Sequence, residues 1–431
     1  MLRKIALSTS LLSVCLGAGA IAVGSGARVP PWMIALSAGT LNLTAGPTTP
    51  ATFDNASDQS TTIPFELFGN KIFLAVSVKG SEPLSFILDT GNKWAVINLA
   101  RARSLGLHLG GDITVAGEGE KTGTGSFVEG ERFGVVGLKS FSQPLFLAIP
   151  LDDIATRLGH RIDGLLGTDF IRQFVVDIDW IGKRLTLRGK AAFSYAGKGV
   201  SLPVTFDARS HPLVKATVQL GPGREAPGIF LVDIGSNRAL ALNSPFVKQE
   251  GIISSDRAVL PLRAFGAGGS VRGVTGRIDG LKIGGWVLKR PVAAFSQDEK
   301  GALAGTDKQG SIGVEVLRRF RVIFDFERDR IILEPNARFD DPFEHDMSGV
   351  ALEAIGPSFE TLRVVALDDG SPAAALDMKV GDVVTTINGR PASAIGLSEI
   401  KRLFSTEGRY EINLQRGEAL IAVTLVTTRR L

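Results

Sequence analysis

Two aspartates stand at matching places in a repeated pattern of the sequence. Asp89 follows the largely apolar run Leu84–Leu88 and opens an Asp-Thr-Gly turn; Asp233 follows Phe230–Val232 and opens Asp-Ile-Gly, 144 residues later. An apolar strand that ends in such a turn would present each carboxylate at the edge of its own lobe. Two carboxyls held close together cannot both ionise, so one stays protonated. Such a pair can activate a water: the charged carboxylate takes its proton while the other protonates the carbonyl under attack.

The repeat extends beyond the aspartates. Gly, Phe, Asp and Arg recur at spacings of seven, five and five residues, as Gly167, Phe174, Asp179 and Arg184 and again as Gly313, Phe320, Asp325 and Arg330. Ile63-Pro64 and Leu202-Pro203 open the two copies. Short apolar runs broken by Gly, Pro, Asn and Asp fill both, which is typical of strands and turns. The sequence therefore predicts a mainly β fold with two similar lobes, over 61–197 and 198–338.

The motifs of both copies resemble those of retropepsin-like aspartic proteases. Phe86–Gly91 with Leu165–Gly167 carries the resemblance in the first copy, and Ser311–Gly313 repeats the second motif. The resemblance implies two acid-protease β lobes in which an apolar-apolar-Gly strand lies beneath the Asp loop. It also implies an aspartic endopeptidase that hydrolyses peptide bonds; given the N-terminal segment described below, its substrates would be exported polypeptides. Its catalytic residues would be Asp89 and Asp233, with the active-site loops formed by Thr90, Gly91, Ile234 and Gly235.

Ile234 departs from that family's pattern, which has a Thr or Ser after each catalytic Asp. The missing hydroxyl normally hydrogen-bonds to the other lobe, and one such bond is worth on the order of 1 kcal/mol. The sequence leaves two alternatives open: a catalytically inactive peptide-binding protein with a degenerate second lobe, and a single active lobe that pairs within a homodimer.

Glycine-rich segments follow each Asp at corresponding distances. They lie at Thr122–Gly125 and Gly266–Gly269. In the family that this chain resembles, such segments form flaps over the substrate, and glycine lets the backbone approach a bound peptide closely. The flap candidates are Gly123, Gly125, Gly266, Gly268 and Gly269.

The pattern changes from about residue 349, and 349–428 resembles a bacterial-type PDZ domain, a β fold with two short helices. Gly370–Ala375, Val380–Val384 and Ile387–Gly389 carry the resemblance. The first of these leads into a helix-like stretch, and Ser398–Phe404 is a second predicted helix. The resemblance implies binding of peptide C-termini or strands for substrate recruitment. Ile355, Gly356 and Phe359 are the candidate peptide-binding residues; a docking module without a free ligand is the alternative.

The N-terminus is typical of a targeting segment. Arg3 and Lys4 precede an uncharged run to Val23, which predicts a signal peptide or membrane anchor over 1–27. Residues 28–60 are rich in Pro, Thr, Ser, Ala and Gly and predict a linker. We therefore expect an exported protein, periplasmic or secreted, with retention in the inner membrane as an open alternative.

The composition argues against several other kinds of site and partner. The 431 residues carry a net charge of +4, a surplus too small to argue for nucleic acid. The single cysteine, Cys15, lies in the targeting segment, so the body has no disulfide or thiolate metal site. The four histidines show no His-Glu-x-x-His spacing, and there is no Gly-x-Ser-x-Gly or phosphate-loop motif. We expect no metal and no organic cofactor, with polypeptides as the substrates.

Overall fold

The computed structural model describes residues 48–54, 59–116, 122–266 and 269–431, with four short strands nearer the N-terminus. These strands are β1 Leu12–Val14, β2 Ile21–Val23, β3 Ala35–Ser37 and β4 Thr40–Asn42. The rest of the predicted leader 1–27, with Cys15, and most of the linker 28–60 lie outside the described residues, so those predictions stay predictions. Within the described part of the chain, no helix is both long and apolar enough to cross a bilayer.

Lobe 1 is built from short strands whose buried residues alternate or run continuously. The strands are β5 Ser60–Pro64, β6 Glu66–Phe68, β7 Lys71–Val78, β8 Leu84–Leu88, β9 Val96–Asn98, β10 Leu109–Ala116, β11 Thr122–Val128, β12 Arg132–Val135, β13 Gln143–Pro144, β14 Leu147–Ile149, β15 Gly164–Leu166, β16 Val175–Asp179 and β17 Arg184–Arg188. The helices are α1 Leu99–Ser104, α2 Asp152–Leu158 and α3 Thr168–Ile171. Helix α2 ends at Gly159, whose φ of 76° is the left-handed conformation that glycine adopts without strain.

Lobe 2 repeats this construction. Its strands are β18 Val200–Pro203, β19 Thr205–Phe206, β20 Pro212–Gly221, β21 Arg224–Val232, β22 Leu240–Leu242, β23 Val259–Pro261, β24 Phe265–Gly266, β25 Gly269–Ser270, β26 Gly273–Arg277, β27 Gly280–Ile283, β28 Trp286–Lys289, β29 Val292–Ser296, β30 Gly310–Ile312, β31 Phe320–Asp325 and β32 Arg330–Pro335. The helices are α4 Ser244–Gln249 and α5 Val314–Leu317, with 3-10 turns at Ala302–Ala304 and Phe326–Arg328.

The main sheets of the two lobes share one strand order. In lobe 1 the sheet runs β11-β14-β9-β15-β8-β7-β12-β13, and in lobe 2 it runs β26-β29-β22-β30-β21-β20-β27-β28. Each position in the first series corresponds to the same position in the second. The prediction of a mainly β fold with two protease-type lobes and a C-terminal domain is confirmed.

A third sheet joins the lobes. Its order is β18-β32-β31-β16-β17-β5, so three strands come from each copy, and β16 pairs with β31 at its centre. Asp177 there accepts hydrogen bonds from Arg321 at 2.8 and 2.6 Å, and Asp325 accepts from Arg330 at 2.8 Å. These carboxylates hold the shared sheet together.

The C-terminal domain has its own sheet and core. Its strands are β33 Val350–Ile355, β34 Thr361–Leu367, β35 Val383–Ile387, β36 Arg390–Pro391, β37 Gly408–Arg416 and β38 Ala419–Thr427, and its helices are α6 Ala392–Ile395 and α7 Leu397–Phe404. The sheet runs β33-β34-β35-β37-β38, which leaves β33 at an edge. The predicted helix at 398–404 is confirmed.

The helix-like stretch predicted after Gly370 forms turns instead. The hydroxyl of Ser371 accepts a hydrogen bond from the backbone of Ala374 at 3.1 Å, which closes a local turn. Serine competes with helical backbone bonding in this way.

Candidate active site

A strand runs beneath each of the two aspartates. In lobe 1, β8 pairs in parallel with β15, and the Asp89 N–H donates to Leu166 O at 2.9 Å. In lobe 2, β21 pairs in parallel with β30, and the Asp233 N–H donates to Ile312 O at the same 2.9 Å. The apolar-apolar-Gly segments identified in the sequence are therefore the strands that fix the start of each Asp loop.

The structure brings Asp89 and Asp233 together, with a hydrogen bond between their side chains. Each carboxylate is also held by its own loop. Asp89 Oδ1 accepts from the Gly91 N–H at 2.8 Å, and Asp233 Oδ1 accepts from Gly235 at 2.9 Å and Ser236 at 3.0 Å. The second carboxylate thus receives one more backbone hydrogen bond than the first.

Both loop glycines lie against the carboxylate of the opposite lobe. A Cβ on Gly91 would come within 2.9 to 3.0 Å of Asp233 carboxylate atoms, and one on Gly235 would overlap the Asp89 carboxylate. Neither glycine has a left-handed φ. Close approach of the two lobes, rather than backbone conformation, therefore requires glycine at these places.

Thr90 ties lobe 1 to lobe 2. Its buried hydroxyl donates to Val232 O at 2.6 Å and accepts from the Ile234 N–H at 2.9 Å. One side chain thus satisfies a buried carbonyl and a buried N–H on either side of Asp233. Ile234 cannot return these bonds, and its side chain is fully buried in the hydrophobic core instead.

Burial raises the pKa of Asp89 above its ordinary value, while the nearby charge of Lys71 and the Gly91 N–H act in the opposite direction. The residue keeps part of its surface accessible to solvent. The raised pKa favours a neutral, proton-bearing carboxyl at Asp89. A neutral carboxyl beside a second carboxyl is the arrangement in which two aspartates share one proton.

Lys71 and His211 are site residues that the sequence reasoning missed. Lys71 Nζ donates to the carbonyl of Gly235 across the lobes, and a positive charge on His211 also lowers the pKa of Asp89. The strand registers make the two residues equivalent, since Phe73 pairs with Ile87 as Leu213 pairs with Leu231.

Their spacing of 140 residues lies close to the 139 residues between Ile63 and Leu202, at the start of the two copies. An alignment of the repeats from that end places Lys71 opposite Ser210, one residue before His211.

His211 is itself held in place. Its side chain is fully buried, and Nδ1 lies 2.9 Å from Asp207 Oδ2. Burial acts to raise the pKa of Asp207, but the bonds and charge of His211 outweigh it and lower that pKa to about 2. His211 Nε2 is buried and has no hydrogen-bond partner among the described residues.

The flap candidates lie on two hairpins, one within the large sheet of lobe 1 and the other a separate two-stranded sheet in lobe 2. Gly123 and Gly125 are on β11, whose hairpin partner is β10, while Gly266 and Gly269 face each other across β24 and β25. Gly268 lies outside the described residues. A Cβ on Gly125 would press on Ala148 O, whereas one on Gly123 would meet open space. Gly125 is thus a packing position, and the role of these glycines as flaps stays a prediction.

The candidate peptide-binding residues of the C-terminal domain lie where β33 turns into β34. Ile355 is paired with Thr361, Gly356 has a φ of 94°, and Phe359 packs against both the domain core and a cluster in lobe 1. Their binding role stays a prediction. Among residues 48–54, 59–116, 122–266 and 269–431, no group of three or more His, Cys, Asp or Glu side chains is arranged to hold a metal ion.

Comparisons with known proteins bear on the two lobes. Residues 74–170 and 214–316 each match a family model described as aspartyl protease. The crystal structure of basic 7S globulin from soybean is similar at 11% identity and a TM-score of 0.39, covering 64% of this chain and 94% of that one. The HtrA3 PDZ domain bound to a phage-derived ligand is similar at 22% identity and a TM-score of 0.17, covering 19% and 81%. The search of curated proteins gave no match.

The first matched region contains Asp89 with β15, and the second contains Asp233 with β30. Both lobes of this chain therefore match the aspartyl protease family, each over the segment that carries one aspartate and the strand beneath it.

Proposed function

We propose that this protein is an aspartic endopeptidase that cleaves extended segments of exported polypeptides, with Asp89 and Asp233 as its catalytic pair. The observation that carries the proposal is the symmetric meeting of the two carboxyls, each fixed by its own loop and bounded by the glycine of the other lobe. Asp233 takes a proton from the attacking water, and Asp89 gives its proton to the peptide carbonyl. The product of this step is a tetrahedral diol with no covalent bond to the enzyme.

The finer parts of the proposal rest on sequence features. The PDZ-like motifs over 349–428 support peptide binding by the C-terminal domain, and the N-terminal pattern supports export. The active state is a single chain, because the two lobes of one molecule already bring both carboxyls together.

Proteolysis of a denatured protein mixture by residues 45–431 and by the full chain, from acid to neutral pH, tests the proposal. We expect cleavage by the parent and none by Asp89→Asn or Asp233→Asn, which keep the side-chain shape and remove the carboxylate. Asp340→Asn, at an exposed aspartate just after lobe 2, is the matched control and should cleave like the parent. Absence of cleavage by the parent at every pH would reject the protease.

A non-catalytic peptide-binding protein is the second candidate, and Ile234 is the observation that favours it. The cross-lobe bonds of Thr90 weigh against it, because they hold the backbone on both sides of Asp233 without a second hydroxyl.

A further inference from the structure

Edge strand β33 and helix α7 of the C-terminal domain enclose a segment of lobe 1. Helix α2 packs along β33, and Gly159 at its end lies between the two elements. A Cβ on Gly159 would come within 2.8 Å of Leu397 Cβ and 3.4 Å of Ala354 Cβ. The space between β33 and α7 is therefore filled by backbone of lobe 1, with no room for another chain.

A polar contact holds this segment at one end of the groove, and the C-terminal domain closes the other end with its own residues. Lys401 Nζ on α7 donates to Arg157 O at 2.7 Å and so satisfies a carbonyl at the end of α2. At the start of β33, the Asp346 carboxylate accepts from the Gly349 N–H at 2.6 Å and from the Ser348 hydroxyl at 2.7 Å. Backbone N–H groups of this kind can capture a peptide's terminal carboxylate, but here a side chain of the domain itself occupies them.

The docked segment leads directly to the strand beneath Asp89. Four residues after Gly159, Asp163 exchanges hydrogen bonds with Ser85, through its N–H at 2.8 Å and its carboxylate at 2.9 Å. Strand β15 follows at once, and its Leu166 O accepts the Asp89 N–H. A displacement of residues 157–160 would therefore act on the strand that fixes Asp89.

We propose that the groove between β33 and α7 is a docking site for the protein's own residues 157–160, and that this segment and the C-terminus of an extended peptide compete for it. A peptide added to the edge of β33 would need the same space. Its binding would undock α2 and loosen the support of β15. The competition is independent of catalysis, whereas an effect on turnover rests on the proposed protease function.

Two glycine variants in the full chain test the docking. Gly159→Ala and Gly106→Ala both place Ala at a positive φ, 76° and 60°, so both carry the same kind of backbone cost. Only the Cβ at 159 meets the C-terminal domain, since nothing lies within 4 Å of the one at 106. Both are made in an Asp89→Asn background, so that no peptide is cleaved and a failure of the protease proposal leaves this test intact.

The measurements are amide hydrogen exchange and binding of a labelled peptide pool with free, apolar C-termini. For Gly159→Ala we expect exchange in β33 and α7, and affinity for the pool, to rise about tenfold, a change of about 1.4 kcal/mol. Gly106→Ala and an amidated pool should show neither effect.

Lys401→Ala should act in the same direction more weakly, with Lys379→Ala as its control at an exposed lysine of the same domain. This second pair serves if Gly159→Ala does not fold.

Three results would overturn the proposal. The first is equal exchange in Gly159→Ala and Gly106→Ala. The second is binding of the pool by the parent while residues 152–162 keep their full protection. The third is an undocked α2 whose vacated groove still takes no peptide.

Discussion

Thr90 and Ile234 occupy equivalent positions in the two lobes, but they make different kinds of contact. Thr90 is a polar residue whose bonds leave its own lobe, while Ile234 is an apolar residue that packs into the core. The cross-lobe contacts near the pair run largely one way, since Lys71 of lobe 1 also donates to Gly235 of lobe 2. Because the two lobes differ in sequence, one set of cross-lobe hydrogen bonds, all donated or accepted by lobe 1 side chains, is enough to hold both Asp loops. The second lobe is then free to lose its hydroxyl.

The substitution expected to reduce activity the most is Gly235→Ala. Gly235→Ala forces a methyl group into the Asp89 carboxylate and separates the pair, so turnover should fall by roughly a hundredfold or more. Steady-state cleavage of a peptide measures the loss. Gly221→Ala, whose Cβ meets open space, is the control. If Gly91→Ala proves more harmful than Gly235→Ala, the two loops approach each other differently from this structure.

Thr90→Val should cause the next largest effect. It leaves the Val232 carbonyl and the Ile234 N–H buried without their partner, which costs about 2 to 4 kcal/mol of unfolding free energy. Urea unfolding of the parent and the variant measures the difference. Thr90→Ser retains the hydroxyl and should recover much of the loss; equal destabilisation by Val and Ser would show that the methyl group, which Val keeps and Ser lacks, matters as much as the hydroxyl.

Lys71→Met should move the pH dependence of cleavage without abolishing it. The charge of Lys71 lowers the pKa of Asp89, so its removal lets burial raise that pKa further. The pair then releases its protons at higher pH, and both limbs of the kcat/KM profile should shift to higher pH. Lys79→Met, at an exposed lysine just after the same strand, should leave the profile in place. A downward shift for Lys71→Met would contradict the assignment.

Ile234→Thr should have the smallest effect. The hydroxyl of Thr90 already binds the backbone on both sides of Asp233, so a second hydroxyl should change kcat by only a few-fold, within about 1 kcal/mol. Cleavage assays of the two proteins settle the point. A gain of several orders of magnitude would instead favour a degenerate second lobe.

Local patterns predicted the repeat, the two aspartates, the strands beneath them and helix α7. Each of these depends on neighbours in sequence or on the constant spacing between copies. The hydrogen bond from Lys71 to Gly235 and the packing of Gly159 between Ala354 and Leu397 could not be predicted in this way. They depend on how separate units pack, and a lysine at a strand start or a glycine at a helix end has an ordinary local explanation.

The sheet shared by the two lobes also sets the order in which the molecule can assemble. Its central partners, such as Val176 and Phe324, are far apart in sequence, so the sheet closes only after both copies have been synthesised. A nascent chain that ends within lobe 2 carries Asp89 but no completed partner. The pair of carboxyls is therefore a late product of folding, and the proposed proteolytic activity would arise only in a finished chain.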